Sequence, residues 1–278
     1  MSSNRELFFR FQKQGVSDAV IYFALEEVNG FNHFSLLENF DKGIKDENKF
    51  VDAMNRFIHG EMIEYIFNKA YFLNKPFYIN KDVLIPRQET EQLVLSSIRR
   101  IKELFKDQNI TIADVCTGSG VIGLSIAQEF KESSVILTDI SKEALNVATK
   151  NAYDIGLSNV SFMQGNMLEP LFNNKKQVDV IICNPPYIAD ISTIDKKTWE
   201  QEPHLALLAS PATKFYEEVL KNYQKIVKEK YLMAFEIGED MEQELTDLIN
   251  KYCHNVSFFF EKDLYDKTRF LFIINKKV

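Results

Sequence analysis

Thr111-Ile112-Ala113-Asp114-Val115-Cys116-Thr117-Gly118-Ser119-Gly120-Val121-Ile122-Gly123 is the stretch that decides the fold. It opens as a short apolar run of strand type, turns on glycines and continues into apolar residues at helical spacing. Gly118, Gly120 and Gly123 meet the spacing G-x-G-x-x-G, and Asp139 ends the next strand-like run, Val135–Asp139, about twenty residues on. Glycine lets a backbone turn tightly and approach a ligand closely. A carboxylate at the second strand's end can accept hydrogen bonds from both hydroxyls of a ribose. Thr117, Gly118, Ser119 and Gly120 are therefore expected to cradle a nucleoside, with Asp139 on its sugar.

Outward from this loop, strands and helices alternate. Val160–Met163, Val178–Cys183 and Tyr231–Phe235 read as further strands, and Glu89–Phe105, Val121–Phe130, Ser141–Ile155 and Phe215–Lys228 as helices. The alternation predicts an α/β fold, a doubly wound sheet that takes ligands at the carboxyl ends of its strands. Val256–Glu261 and Arg269–Ile274 lie too close in sequence for a parallel crossover, so an antiparallel hairpin is expected there. Upstream, residues 1–64 read as a small helical domain. One helix is capped by Ser17, runs through Val28 and stops at Asn29-Gly30; another covers Phe50–Ile58 and closes at His59-Gly60. Residues 65–88 read as a hairpin linker, with Asn74-Lys75 turning between Ala70–Leu73 and Pro76–Ile79, and residues 89–278 as the main domain. The helical domain reads either as a plain bundle or as a module that docks a partner.

Bulk properties bound the rest. A chain of 278 residues, 45% hydrophobic and 26% charged, fits a soluble globular protein with one large and one small domain. It has no run of eighteen apolar residues and no signal-like start. Cys116, Cys183 and Cys253 are scattered, so neither a disulfide framework nor a metal site is expected, and a cytoplasmic setting is the default. The formal net charge of -7 opposes broad contact with nucleic-acid phosphates.

The glycine loop and Asp139 suit NAD and S-adenosylmethionine alike. Asp114 favours the second, since a carboxylate at the mouth of the first strand repels a pyrophosphate and attracts an ammonium; the alternative is a helix cap. Asn166 follows the third strand, where an adenine edge would lie, and its amide could accept from the amino group and donate to a ring nitrogen. Asp179–Cys183 then runs straight into Asn184-Pro185-Pro186-Tyr187. A carboxamide or aniline-like nitrogen has its lone pair delocalised and is a poor nucleophile. Acceptors on both N–H groups, the Asn184 side-chain oxygen and the Pro185 carbonyl, would strengthen as positive charge develops on that nitrogen, lowering the barrier to methyl transfer. Prolines fix φ and bring no competing N–H. Pro186 completes the turn, and the Tyr187 ring is expected to pack on the planar group. Taken alone, the tetrad does not separate a protein amide from a nucleobase amino group.

With these residues in view, the chain resembles the protein-(glutamine-N5) methyltransferases that modify peptide chain release factors. Leu84-Ile85-Pro86-Arg87-Gln88-Glu89-Thr90-Glu91, Asp114–Gly123, Asn184–Ile188, Glu202-Pro203-His204-Leu205-Ala206-Leu207, Phe235-Glu236-Ile237-Gly238 and the pair Asp263-Leu264 with Arg269 carry the resemblance. It implies a class I S-adenosylmethionine-dependent methyltransferase, a Rossmann-like mixed sheet ending in an antiparallel hairpin, with a small N-terminal helical domain that contacts the release factor. It also implies Asn184, Pro185 and Tyr187 as catalytic residues, the whole tetrad as the substrate site, and Asp114, Thr117–Gly120, Asp139, Asn166 and Asn184 around the cofactor. Gln88 stands where the family usually has a second proline, Cys116 where glycine is frequent and Asn166 where aspartate is common. Four other readings were open: a DNA or RNA amino-methyltransferase, which needs a basic cleft and a flipped-base pocket; a ribosomal-protein glutamine methyltransferase; an NAD-dependent oxidoreductase, which leaves the tetrad unexplained; and a non-enzymatic docking protein.

Overall fold

The computed structural model of the chain describes residues 2–106 and 108–275. It divides into two compact units: everything up to Lys69 together with Lys196–Gln201, and the remainder, Ala70–Asp195 with Glu202 onward. The hairpin expected as a linker thus falls in the second unit from Ala70, and a six-residue piece from the middle of the chain joins the first.

The first unit is helical: α1 (Asn4–Gln12), α2 (Asp18–Asn29), α3 (His33–Glu38), α4 (Glu47–Ile58) and α5 (Ile63–Phe67), with α10 (Lys196–Gln201) from later in the chain. Ser3 and Glu6 form a reciprocal capping box on α1, and Asn32 and Asp46 cap α3 and α4 through their side chains. Gly30, at φ 71°, ends α2 in the left-handed region. Leu7, Phe11, Ile21, Leu25, Phe50 and Met54 make its core. Asn29, buried among them, donates to Asn4 Oδ1 (3.0 Å) and the Leu25 carbonyl (2.8 Å) and accepts from Lys45 N (3.0 Å), so no polar atom of its amide is stranded.

The second unit opens with the short pair β1 (Lys69–Phe72) and β2 (Lys75–Tyr78). Its turn falls on Leu73-Asn74, both at positive φ (49° and 59°), one residue earlier than expected. This register buries both Phe72 and Phe77, whose rings meet edge-on at 6.2 Å. A seven-stranded sheet follows: β3 (Thr111–Val115), β4 (Ser134–Asp139), β5 (Val160–Gln164), β6 (Val178–Cys183), β7 (Val227–Glu236), β8 (Ser257–Lys262) and β9 (Thr268–Asn275), in the order β5-β4-β3-β6-β7-β9-β8. The first five strands are parallel, and β9 runs antiparallel to both β7 and β8. The expected mixed sheet with its closing hairpin is what the structure has.

Period-two alternation sets the two faces. On β6, Val180 and Ile182 pack with α6 (Gln88–Phe105), α7 (Val121–Glu129) and α8 (Lys142–Ile155), while Ile181 and Cys183 pack with α9 (Glu169–Asn173), α11 (Lys214–Asn222) and α12 (Glu242–Tyr252). Every residue of β6 is buried, as a central parallel strand requires. The helix expected to reach Lys228 ends at Asn222. Tyr223–Lys225 tightens into a 3-10 turn that buries Tyr223, and β7 begins early because Val227 pairs with Val178. No helix among the described residues is long and apolar enough to cross a membrane.

Candidate active site

The strand order reverses at β3 and β6, and a crevice opens at their carboxyl ends. A cavity of about 320 Å³ lies there, lined among others by Cys116–Ser119, Asp139, Ile140, Asn166, Met167, Asn184 and Pro186. Thr117, Gly118 and Ser119 of the glycine loop reach it, whereas Gly120, expected to cradle the ligand with them, does not line it. Gly120 sits at φ 86°, and a Cβ on it would meet Leu124 Cδ1 at 2.9 Å and Ala148 Cβ at 3.0 Å. At Gly123 the reason is closeness, not dihedral: a Cβ there would meet Asp114 Oδ2 at 2.8 Å and Leu137 Cγ at 2.9 Å. This glycine lets α7 seat directly on β3 and β4. Gly123→Ala is therefore expected to destabilise by about 1–3 kcal/mol through overpacking, read as a lowered midpoint in a thermal melt. An unchanged midpoint would refute that account.

Asp139 lines the cavity, with Oδ2 accepting from Gly118 N (2.9 Å) and Oδ1 from Ser141 N (2.9 Å). Each oxygen keeps a lone pair for a sugar hydroxyl. Burial raises its carboxyl above the usual range, and the backbone N–H groups work against that. Asn166 also lines the cavity, and its Nδ2 donates one N–H to Glu218 Oε1 (2.8 Å), which fixes the amide and leaves its oxygen and second N–H. The oxygen matches an exocyclic amino group. Ile140, Met167 and Phe215 add apolar walls for a ring. The donor set fits S-adenosylmethionine: a carboxylate for ribose, an amide oxygen for adenine and glycine backbone for the rest.

Asp114 departs from expectation. It is fully buried beneath the loop and does not line the cavity. Its Oδ2 accepts from the Thr117 hydroxyl and from Gly123 N (2.8 Å), so it braces the loop from below, and its buried Oδ1 has no hydrogen-bond partner among the described residues. Burial pushes its carboxyl up to about 7 against those two bonds. Cys116, at φ 61°, has its thiol 3.5 Å from the Met167 sulfur, a packing contact at the cavity's edge.

In the tetrad, Asn184 and Pro186 line the cavity; Pro185 and Tyr187 do not. The residue before a proline is held extended, and in extended chain alternate side chains point opposite ways. Tyr187 therefore turns back into the protein. Its ring lies over Gly238, where a Cβ would come within 3.2 Å of Tyr187 Cδ2, and its hydroxyl donates to Glu236 Oε1 at 3.5 Å. The expected stacking of Tyr187 on a substrate gives way to support of the tetrad from behind, while the Pro185 ring is buried.

Arg87, read from the sequence with Glu89 either as organising the entrance to the site or as a structural ion pair, lines the cavity and donates to the buried Glu202 carboxylate (2.6 Å), which ties the Leu84–Glu91 signature to the Glu202–Leu207 one. Sequence reading gave no role to two further contributors. Asn151 accepts from Tyr78 N (2.7 Å) and donates to the Tyr78 and Ser119 carbonyls (2.9 and 2.8 Å), stapling β2 to the glycine loop. A buried position for a lone asparagine on the apolar stripe of α8 was its only trace in the sequence. Thr90 also lines the cavity, and its hydroxyl bonds Glu236 Oε2.

Comparison with known proteins agrees with this geometry. A family model described as methyltransferase small domain matches residues 94–201. The release factor glutamine methyltransferase of Mycoplasma mycoides subsp. mycoides is 35% identical over 268 residues, covering 94% of this chain and 93% of its own. That of Bacillus subtilis is 36% identical over 216 residues, covering 76% and 74%. Among solved structures, the hMettl16 catalytic domain in complex with a 3'UTR hairpin superposes with a TM-score of 0.57 at 13% identity, covering 96% of this chain and 92% of that one, which speaks to fold alone. With its loop, its tetrad and near full-length similarity to such relatives, the chain belongs to the release factor glutamine methyltransferase family.

Proposed function

We propose that this chain transfers a methyl group from S-adenosylmethionine to the side-chain amide nitrogen of the glutamine in the Gly-Gly-Gln motif of peptide chain release factors. The observation that carries the reading is the placement of Asn184. It stands at the end of β6 on the cavity wall, with its amide nitrogen held by the Thr90 hydroxyl (3.3 Å), which is also on that wall. Its oxygen is then free to accept an N–H from a planar substrate group, with the Pro185 carbonyl as the second acceptor. The glutamine nitrogen uses its lone pair to form the new N–C bond. The C–S electron pair returns to sulfur, leaving a thioether, and the amide proton departs to water. The donor supplies an electrophilic methyl; the chain supplies orientation and two acceptors that strengthen as the nitrogen becomes positive.

Several features favour a protein amide over a nucleobase. The net charge of -7 disfavours phosphate contact, and the relatives at 30–36% identity are release factor glutamine methyltransferases. Release factors act in the cytoplasm, the compartment that three scattered free cysteines also suit. Incubation with intact release factor and S-adenosylmethionine is expected to add one methyl mass to the Gly-Gly-Gln peptide and none to the Gln→Glu control. An unmodified peptide at saturating donor would overturn the reading. Methylation of DNA or RNA at low salt would move it to the nucleic-acid class.

A further inference from the structure

Beside Asn184, starting from Thr90 on the cavity wall, polar side chains from three elements form one hydrogen-bonded chain. Asn184 Nδ2 donates to Thr90 Oγ1 at 3.3 Å, Thr90 Oγ1 donates to Glu236 Oε2 at 2.7 Å, and the Tyr187 hydroxyl donates to Glu236 Oε1 at 3.5 Å. Thr90 lies in the first turn of α6 and Glu236 ends β7; they are only 3% and 2% exposed. Methyl transfer uses neither of them directly, and both are polar groups buried where an apolar residue would pack without desolvation.

The chain has a direction. An ionised carboxylate only accepts, and a hydroxyl has a single proton. Once Thr90 gives that proton to Glu236, its oxygen can only accept from Asn184, which holds Nδ2 on Thr90 and leaves Oδ1 for a substrate N–H. An asparagine without such a tether has two amide orientations of similar shape, and one of them presents a donor where the reaction needs an acceptor. We propose that Thr90 and Glu236 are positioning residues for the methyl transfer, the Glu236 carboxylate acting through the Thr90 hydroxyl to hold Asn184 in the single orientation that accepts a substrate N–H. This rests on the reading of Asn184 as acceptor for the substrate amide.

The surroundings of Glu236 make the device sensitive to pH. Burial is the largest influence and, with Glu89 of α6, pushes its carboxyl up to about 7, against the Thr90 hydroxyl, Arg269 of β9 and the Asn184 amide. The neighbouring Tyr187 hydroxyl is itself raised, by burial first and then by Glu236, and stays protonated. Protonated Glu236 becomes a donor to Thr90. The Thr90 proton is then released towards Asn184, and it is satisfied by the flipped amide. Acid therefore favours the wrong orientation, and turnover rises with pH through about 7.

The test compares wild type, Thr90→Val, Thr90→Ser and Glu236→Gln on release factor, with S-adenosylhomocysteine affinity and thermal midpoint measured alongside. Thr90→Val is expected to lower kcat by about 10²-fold with cofactor affinity little changed and the acid limb of the kcat profile lost. Thr90→Ser, which keeps the hydroxyl, restores both. Glu236→Gln, which cannot titrate, removes the limb. Retention of wild-type kcat and pH profile in Thr90→Val overturns the proposal, as does failure of Thr90→Ser to restore them in a folded protein. If wild type leaves release factor unmethylated, the substrate reading is what has failed. The relay is then read without substrate, from the carboxyl 13C signal of Glu236 by NMR. A titration near neutrality that moves in Thr90→Val supports the relay, and one that does not move refutes it.

Discussion

Asn184→Ala is expected to lower kcat by about 10³-fold, the upper range for removal of one preorganised transition-state partner, while S-adenosylhomocysteine still binds with affinity close to wild type. The side chain stands at the tip of β6, and the all-buried strand beneath it leaves the backbone little freedom to relax into the gap. Truncation removes the oxygen that would accept the amide N–H and also strips Thr90 of its donor. The groups proposed to hold the donor nucleoside, Asp139 and Asn166, stand elsewhere on the cavity wall. The deficit should therefore appear in turnover at saturating donor, with the KM for S-adenosylmethionine nearly unmoved. Single-turnover rates and isothermal calorimetry separate the two. Retained turnover, or a collapse in cofactor affinity as large as the kinetic loss, would contradict the assigned role.

Asp139→Ala should show the opposite pattern. Its carboxylate organises the loop through Gly118 N and Ser141 N and keeps capacity for sugar hydroxyls. Hydrogen bonds to a charged group contribute about 1.5–3 kcal/mol each, so losing two from the bound nucleoside weakens S-adenosylhomocysteine affinity by roughly 10²–10⁴-fold, since 1.4 kcal/mol is tenfold. At saturating donor, kcat should fall far less than in Asn184→Ala. Equal loss of cofactor affinity in the two variants would show that the nucleoside and acceptor ends of the cavity are not separate as described.

What was legible in the sequence follows covalent spacing. The glycine loop, Asp139 and the tetrad each sit at a strand end, so once Thr111–Val115 and Val178–Cys183 read as strands, their tips had to share one edge of the sheet. Side-chain direction was less accessible. Asp114 and Tyr187 were read as facing a ligand, yet one braces Gly123 from below and the other reaches Glu236, because burial and alternation decide which way a residue turns. Least legible were partners far apart in the chain. Thr90 and Glu236 stood inside recognised signatures, but their bond spans 146 positions, and no local pattern announces it. The orientation of Asn166 likewise depends on Glu218, on a helix 52 positions away.

The placement of β9 between β7 and β8 has a kinetic consequence. A chain emerging from its N-terminus completes β7 at Glu236 and must add about thirty more residues before β9 arrives to pair with it. At 5–20 residues per second that takes roughly 2–6 s. Throughout this interval β7, carrying buried-type residues Leu232, Ala234 and Phe235, presents an unpaired edge, and β8, which bonds only to β9, has no neighbour in the sheet. Unpaired apolar edges recruit other strands. The nearly complete nascent chain thus exposes an apolar strand edge open to aggregation until β9 arrives to cover it.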